Sequence, residues 1–190
     1  MDTTINVTTI PIGVVGLGLM GCSITTCLIM AGHKVIAVAP VSIDLQQADK
    51  RILAHLQRSK EHGLVEQGLI NKELDYYLKQ LTITEDYNLL KDCKVVIECT
   101  LENTDIKKSV YNKIEAVISS EAILTSNTSA IPISILQKLT QFPNRFFGLH
   151  WAEPSHTTRF LEIICGELSD PLQADFLYQL SHHWGKEPTL

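Results

Sequence analysis

Three glycines and a histidine followed by a carboxylate are the residues of this sequence whose types and spacing could do chemistry. Gly16, Gly18 and Gly21 follow the apolar run Ile12-Gly13-Val14-Val15 in the spacing G-x-G-x-x-G. On a strand, turn and helix, that spacing suits a dinucleotide. Gly16 permits the sharp reversal, Gly18 lets a diphosphate approach bare backbone, and Gly21 lets the helix pack closely on the strand. The diphosphate would lie at the helix N-terminus, where unpaired N–H groups and the positive end of the macrodipole favour an anion. A purely connecting glycine turn is the competing reading, and the complete strand–turn–helix–strand unit around the motif favours the nucleotide.

Glu102, Ser129 and His150 each fall at the expected carboxyl end of a strand, where open α/β sheets hold ligands. His150 closes an apolar strand, which places an imidazole with a tunable pKa at the lip of the expected cleft. Glu162 follows within another apolar strand, where an unpaired carboxylate is costly and needs a partner. Paired, the two make a general base. The carboxylate fixes the tautomer, and the free nitrogen removes a hydroxyl proton as hydride leaves the same carbon. Other assignments stay open from spacing alone: a structural, hydrogen-bonded His150, a Glu162 paired with Arg159, or a Ser129 that caps the helix beginning near Ile131. A Ser-His-Glu hydrolase finds no support, because no serine sits in a G-x-S-x-G elbow.

Positioning these residues requires a regular alternation of strands and helices. After the glycine turn, an apolar helix ends at Gly32 and 34–38 forms a second strand. The segment 42–62 reads as an amphipathic helix with Ser42 as N-cap and Gly63 as stop, and 72–80 reads as a second helical segment paired with it. A compact crossover needs only one helix, so the surplus predicts a helical hairpin over about 42–80, equally suited to packing or to facing a substrate. Short strands follow at 81–84, 94–99 and 122–125, with a helix opening at Glu102-Asn103. The loop 126–129 leads to a short helix at 133–139, strands at 145–150 and 160–165, and a last helix at 172–184. The expectation is one α/β domain over residues 1–190: a Rossmann-like, doubly wound, mostly parallel sheet with helices on both faces and a helical hairpin insertion. Gly185 to Pro188 reads as the lead-in to a strand that the chain does not contain, so a domain fragment is expected.

Bulk composition narrows the function classes. A length of 190 residues and 45% hydrophobic content support one ordinary core. A net charge of −5 without a basic stripe disfavours nucleic acid. No basic n-region precedes an apolar core at Met1-Asp2-Thr3-Thr4 and no apolar run reaches membrane-span length, so a soluble cytoplasmic protein without a membrane partner is expected. Cys22, Cys27, Cys93, Cys99 and Cys165 form no C-x-x-C pair and read as reduced core thiols. His182-His183 lacks a further ligand at suitable spacing, so no metal site is expected.

Taken together, Gly16-Leu17-Gly18-Leu19-Met20-Gly21, Val96-Ile97-Glu98 with Leu101-Glu102-Asn103, Ser126-Asn127-Thr128-Ser129, and Gly148-Leu149-His150 with Pro154 resemble the 3-hydroxyacyl-CoA dehydrogenase family. The resemblance covers nearly the whole chain and corresponds to that family's N-terminal NAD-binding domain. It implies NAD as cofactor, bound by Gly16, Leu17, Gly18, Leu19, Met20 and Gly21. It implies His150 as catalytic base, Glu162 as its orienting partner and Ser129 as a hydrogen-bonding group for the substrate oxygen, with Glu102 and Lys107 beside the cofactor ribose and nicotinamide. The helical pair would be the arm near coenzyme A, the substrate an acyl-CoA or related 3-hydroxy acid, and the full-length protein a homodimer. The family's all-helical C-terminal domain is absent from this chain, which implies slow turnover or none for the isolated domain.

Three departures from the family pattern stand out. Ala39-Pro40 replaces the aspartate that usually binds the adenosine ribose, without an adjacent arginine for a 2′-phosphate; Asp44 is the nearest acidic residue and is expected to lie too far away. Glu153 stands where an asparagine is usual beside the nicotinamide. Ser155, His156, Thr157 and Thr158 form a more polar wall than usual. Ala39, Glu153 and the absent domain motivate a second reading, a catalytically impaired dehydrogenase-like module that senses nucleotide or acts as a scaffold; the intact His150, Glu162 and Ser129 set argues against it.

Overall fold

The computed structural model of the protein describes residues 10–61 and 73–190. Its frame is one eight-stranded sheet. In chain order the strands are β1 (Ile12–Val15), β2 (Val35–Val38), β3 (Leu81–Thr84), β4 (Val95–Glu98), β5 (Ile123–Ser126), β6 (Phe146–Trp151), β7 (Phe160–Cys165) and β8 (Glu187–Thr189). They lie side by side as β3-β2-β1-β4-β5-β6-β7-β8. The first six are parallel, β7 runs antiparallel to β6, and β8 parallel to β7. The chain moves outward from β1 to β3, returns to β4 beside β1, and continues the other way. A crevice therefore opens above the carboxyl ends of β1 and β4, where the winding reverses.

The strands are short runs of β-branched and aliphatic residues because both faces are covered. On one face, α1 (Leu19–Met30), α2 (Ser42–Glu61) and α6 (Pro171–His183) pack Ile24, Leu28, Ile52, Leu56, Leu177 and Leu180 against Ile12, Val14, Val95 and Ile97. On the other, α4 (Thr104–Glu115) and α5 (Ile133–Gln137) pack Val110, Tyr111, Ile114 and Leu136 against Val15, Val96 and Phe146. Among the described residues no helix is long and apolar enough to cross a membrane.

Two glycines are fixed by backbone geometry. Gly16 has φ +99°, and a Cβ there would come 2.7 Å from the Cys99 carbonyl oxygen. Gly32 has φ +94° and ends α1, with its N–H bonded to the Ile29 carbonyl and that of His33 to Leu28.

The expected second helix is shorter than its pattern: α3 spans Leu74–Leu78 and packs on α1 and α2. The Gly63 stop and the helix start at Lys72 lie outside the described residues. The most C-terminal expectation is corrected. Glu187–Thr189 forms β8 and pairs with Phe160, Leu161 and Glu162 of β7. Gly185 supplies the reversal after α6 with φ +73°. Of the cysteines, Cys22, Cys27 and Cys93 are buried, whereas Cys165 is exposed on the end of β7.

Candidate active site

The crevice at the winding reversal is a cleft of about 830 Å³. Gly16, Gly18, Leu19 and Met20 line it from the β1–α1 turn, Cys99, Thr100 and Leu101 from the end of β4, Pro40, Val41, Ile43 and Asp44 from the start of α2, and Asp105, Ile106 and Ser109 from α4. A Cβ on Gly21 would lie 1.7 Å from the Gly16 carbonyl oxygen, so helix and turn touch backbone to backbone. Gly18 differs. Its φ of −69° suits any residue, and a Cβ there would meet no protein atom within 4 Å. The fold itself does not demand glycine at that position; a ligand lying on the turn would. Gly18 is also the uncapped N-cap of α1, whose first turn has no acidic side chain, leaving N–H groups free for an anion. Leu17 faces the other way, fully buried in the core, and offers only its carbonyl, which accepts from Cys22 Sγ and Arg51.

Between β4 and α4 stands a cluster around Glu98, a residue quoted from the sequence without a role, that encloses Lys107, the residue expected beside the cofactor. Glu98 closes β4 with no solvent exposure. Lys107 Nζ lies 3.0 Å from both of its oxygens, Ser126 Oγ donates to it at 2.7 Å, Tyr111 Oη at 3.1 Å, and the Thr100 N–H at 2.6 Å. The partners come from α4 (Lys107 and Tyr111), β5 (Ser126) and the loop after β4 (Thr100), so the carboxylate ties the ends of β4 and β5 to α4. A carboxylate ending an all-apolar strand, with a lysine in the next helix to neutralise it, was the available signal. Lys107 is itself 1% exposed, and its ammonium also reaches Glu102 Oε2 at 3.5 Å.

Glu102 gathers the following loop. Its Oε1 accepts from the Thr128 hydroxyl and from the N–H groups of Ser129 and Ala130 at 3.1 and 3.0 Å. Partial burial pushes the carboxyl up, but the Thr128 and backbone hydrogen bonds and the Lys107 charge outweigh it, so its pKa lies below the ordinary value. The residues of the Ser126–Ser129 loop thus have separate tasks: Ser126 holds Glu98, Asn127 Oδ1 accepts from the Trp151 N–H at 2.9 Å, Thr128 holds Glu102, and Ser129 reaches His150.

His150 and Glu162 are directly opposite each other on the antiparallel pair β6 and β7. Cross-strand placement brings them together, with His150 Nδ1 2.7 Å from Glu162 Oε2. Because the carboxylate only accepts, Nδ1 carries the hydrogen and Nε2 is left as acceptor. Ser129 Oγ is 3.1 Å from Nε2. The His150 side chain is 27% exposed and that of Glu162 43%, so Glu162 sits at the surface rather than in the apolar interior its strand implied. Arg159, the competing partner, pairs instead with Glu187 at 2.9 Å. Ser129 does not cap α5, whose N-cap is Pro132.

The residues after His150 divide. Trp151 is 2% exposed and stacks on Trp184 at 5.4 Å between ring centroids, so it turns into the core. Glu153 lines a separate cavity of about 350 Å³ with His55, Arg58, Pro154, His156 and Thr157. In its wall the His55 and His156 rings lie 4.6 Å apart. Burial, and then the proximity of His55, lowers the pKa of His156 to about 4, and burial also lowers that of His55.

Residues 11–190 match the family described as 3-hydroxyacyl-CoA dehydrogenase, NAD binding domain. Among solved structures, FadB2 of M. tuberculosis is 31% identical with a TM-score of 0.84, the match covering 94% of this chain and 62% of that one. The (S)-3-hydroxybutyryl-CoA dehydrogenase PaaH1 of Ralstonia eutropha is 28% identical with a TM-score of 0.84, over 94% and 62%. The 5-formyl-3-hydroxy-2-methylpyridine 4-carboxylic acid 5-dehydrogenase, described as an NAD+-dependent dismutase, is 28% identical with a TM-score of 0.84, over 94% and 56%. The chain thus spans less than two thirds of the length of each of these relatives.

Proposed function

From a chain that belongs to the 3-hydroxyacyl-CoA dehydrogenase family and forms its NAD-binding domain, we propose a dehydrogenase site acting on the hydroxyl of a 3-hydroxyacyl thioester or a related 3-hydroxy acid. The observation that carries this reading is the hydrogen-bonded line Ser129–His150–Glu162, with an acceptor nitrogen at its centre. In this reading the substrate hydroxyl takes the place at Nε2 that Ser129 Oγ holds in the structure, and Ser129 turns its hydroxyl to the substrate oxygen. As the hydroxyl proton moves to Nε2, the carbon–oxygen bond becomes a carbonyl and the hydrogen on that carbon departs with its electron pair. Bound NAD+ supplies the acceptor for that hydride. The imidazolium formed on His150 is stabilised by Glu162, which also keeps the ring from rotating.

Gly16, Gly18, Leu19, Met20 and Gly21 hold the diphosphate in this reading, with the Leu17 backbone shaping the turn. Glu102 fixes the Thr128–Ala130 backbone beside the nicotinamide ribose. Lys107 acts from beneath, through Glu98 and Glu102, because its ammonium is enclosed by them. Glu153 presents a carboxylate near the reacting end from the rim of the second cavity. The protein acts as a cytoplasmic homodimer, and the α2–α3 pair faces the thioester carrier.

The test is turnover of (S)-3-hydroxybutyryl-CoA with NAD+ by the full-length protein, followed by NADH absorbance. His150→Gln is expected to lower kcat about 10²- to 10⁴-fold, the usual contribution of a general base, with NADH affinity nearly unchanged. Retained turnover in that variant would remove His150 from the role.

A further inference from the structure

The carboxyl end of β2 offers nothing polar to an adenosine ribose. Ala39 is buried, Pro40 has no N–H to donate, and Val41 and Ile43 are exposed hydrophobics on the same rim. Asp44, in the first turn of α2, does line the cleft. Asp44 Oδ1 is 3.2 Å from Arg51 Nη1. The same Nη1 donates to the Leu17 carbonyl at 3.0 Å, and Nη2 donates to Gln47 Oε1 at 2.5 Å. Arg51 is thereby clamped to the glycine turn at one end and to its own helix at the other, and it fixes Asp44 in the cleft wall with 21% of the carboxylate side chain exposed.

We propose that Asp44, positioned by Arg51, is the group that accepts from the adenosine ribose hydroxyls and rejects a 2′-phosphate, so that α2 rather than β2 selects NAD over NADP. The inference rests on the reading of this cleft as the NAD site. A carboxylate is an acceptor only, so it suits a diol and repels a phosphate dianion. The guanidinium that would welcome the phosphate is occupied by Asp44, Gln47 and the Leu17 carbonyl. Ser42 adds no free donor on this wall, because its hydroxyl donates to Glu85 Oε1 at 3.0 Å. Across the cleft Lys113 is a cation, but it lies over the Tyr87 ring, 5.6 Å from the centroid, and Asp105 lines the same wall from the start of α4.

The experiment is a titration of the full chain with NADH and, separately, NADPH, read by energy transfer from the tryptophans to the bound nicotinamide. The wild type is expected to bind NADH at least tenfold more tightly than NADPH. Asp44→Ala should weaken NADH about tenfold to a hundredfold, the size of one hydrogen bond to a charged group. It should also strengthen NADPH, because Arg51 is released to meet the phosphate, so the preference inverts. Asp44→Asn keeps the shape of the first turn and carries the test if the alanine variant fails to fold; its NADH to NADPH preference should narrow at least fivefold. An unchanged preference in these variants overturns the role of Asp44. Failure of the wild type to bind either nucleotide overturns the cofactor reading of the cleft itself, and that result is seen before any substitution is made.

Discussion

Glu98 and Glu162 are both strand carboxylates that face a base and have a serine hydroxyl close by, yet their surroundings differ at every other point. Glu98 is fully buried and receives six hydrogen bonds from Lys107, Ser126, Tyr111 and Thr100. Nothing in that cluster is left to react. Its partners come from β5, α4 and the loop after β4, so its effect is to fix where those elements end. Glu162 is 43% exposed and, among the described residues, takes one short hydrogen bond, from a histidine whose second nitrogen is met by a serine hydroxyl that a substrate can displace. The same side-chain chemistry thus serves as a structural tie where burial is complete and every lone pair is used, and as a reactive group where one acceptor stays accessible.

This contrast can be broken most forcefully at the buried end. Lys107→Met leaves Glu98 charged and without its cation, and breaking a buried pair from one side costs about 3–5 kcal/mol. For a chain of this size that corresponds to a fall on the order of 10 °C in Tm, measurable by calorimetry. A smaller change marks the exposed end. Glu162→Gln should leave the unfolding free energy within about 0.5 kcal/mol of the wild type, as expected for a surface change. It should still lower kcat about ten- to a hundredfold, less than the loss of His150, because water can partly replace an exposed carboxylate. A Lys107→Met protein as stable as the wild type, or a Glu162→Gln protein that loses stability but not kcat, would erase the distinction.

The smallest expected effect concerns two other enclosed bases. His33 is buried, with its ring donating to the Ile10 carbonyl through Nδ1 and accepting from Trp184 Nε1, and burial lowers its pKa to about 4. His156, 6% exposed, is lowered to about 4 for the same reason. A histidine near 6.5 when unfolded and near 4 when folded binds more protons in the unfolded chain between those values. Its stabilising contribution is complete above pH 6.5 and is lost as the pH falls toward 4. Denaturant unfolding should therefore show a loss of about 1 kcal/mol for each of these histidines between pH 7 and 5.5. His33→Gln should flatten part of that slope without altering the pH dependence of kcat.

Much of the site could be read from residue types because it depends on short-range rules. Gly16 and Gly21 announce a turn that only glycine fits, and His150 and Glu162 sit on adjacent apolar segments whose antiparallel pairing brings them opposite each other. Other features depended on distant partners. The neutralisation of Glu98 needs α4 laid across β4 and β5, and the surface position of Glu162 follows from β7 lying near the sheet margin with only short β8 beyond it. β8 itself is three residues long with a proline at its centre, too brief for a periodic signal. Trp151 followed the strand alternation that places it opposite in sense to His150, a consequence of register rather than of residue type. Asp44 was judged by its distance along the chain, whereas Arg51, two helical turns further on, sets its position.

The most direct test of the account is a single-turnover measurement on His150→Gln beside the wild type, with saturating NAD+ and (S)-3-hydroxybutyryl-CoA and with NADH affinity and Tm recorded on the same samples. The account predicts a hydride-transfer rate lowered at least a hundredfold, with cofactor affinity and Tm essentially unchanged. Hydride transfer at the wild-type rate would contradict it, as would a loss of rate that merely follows a loss of folded protein.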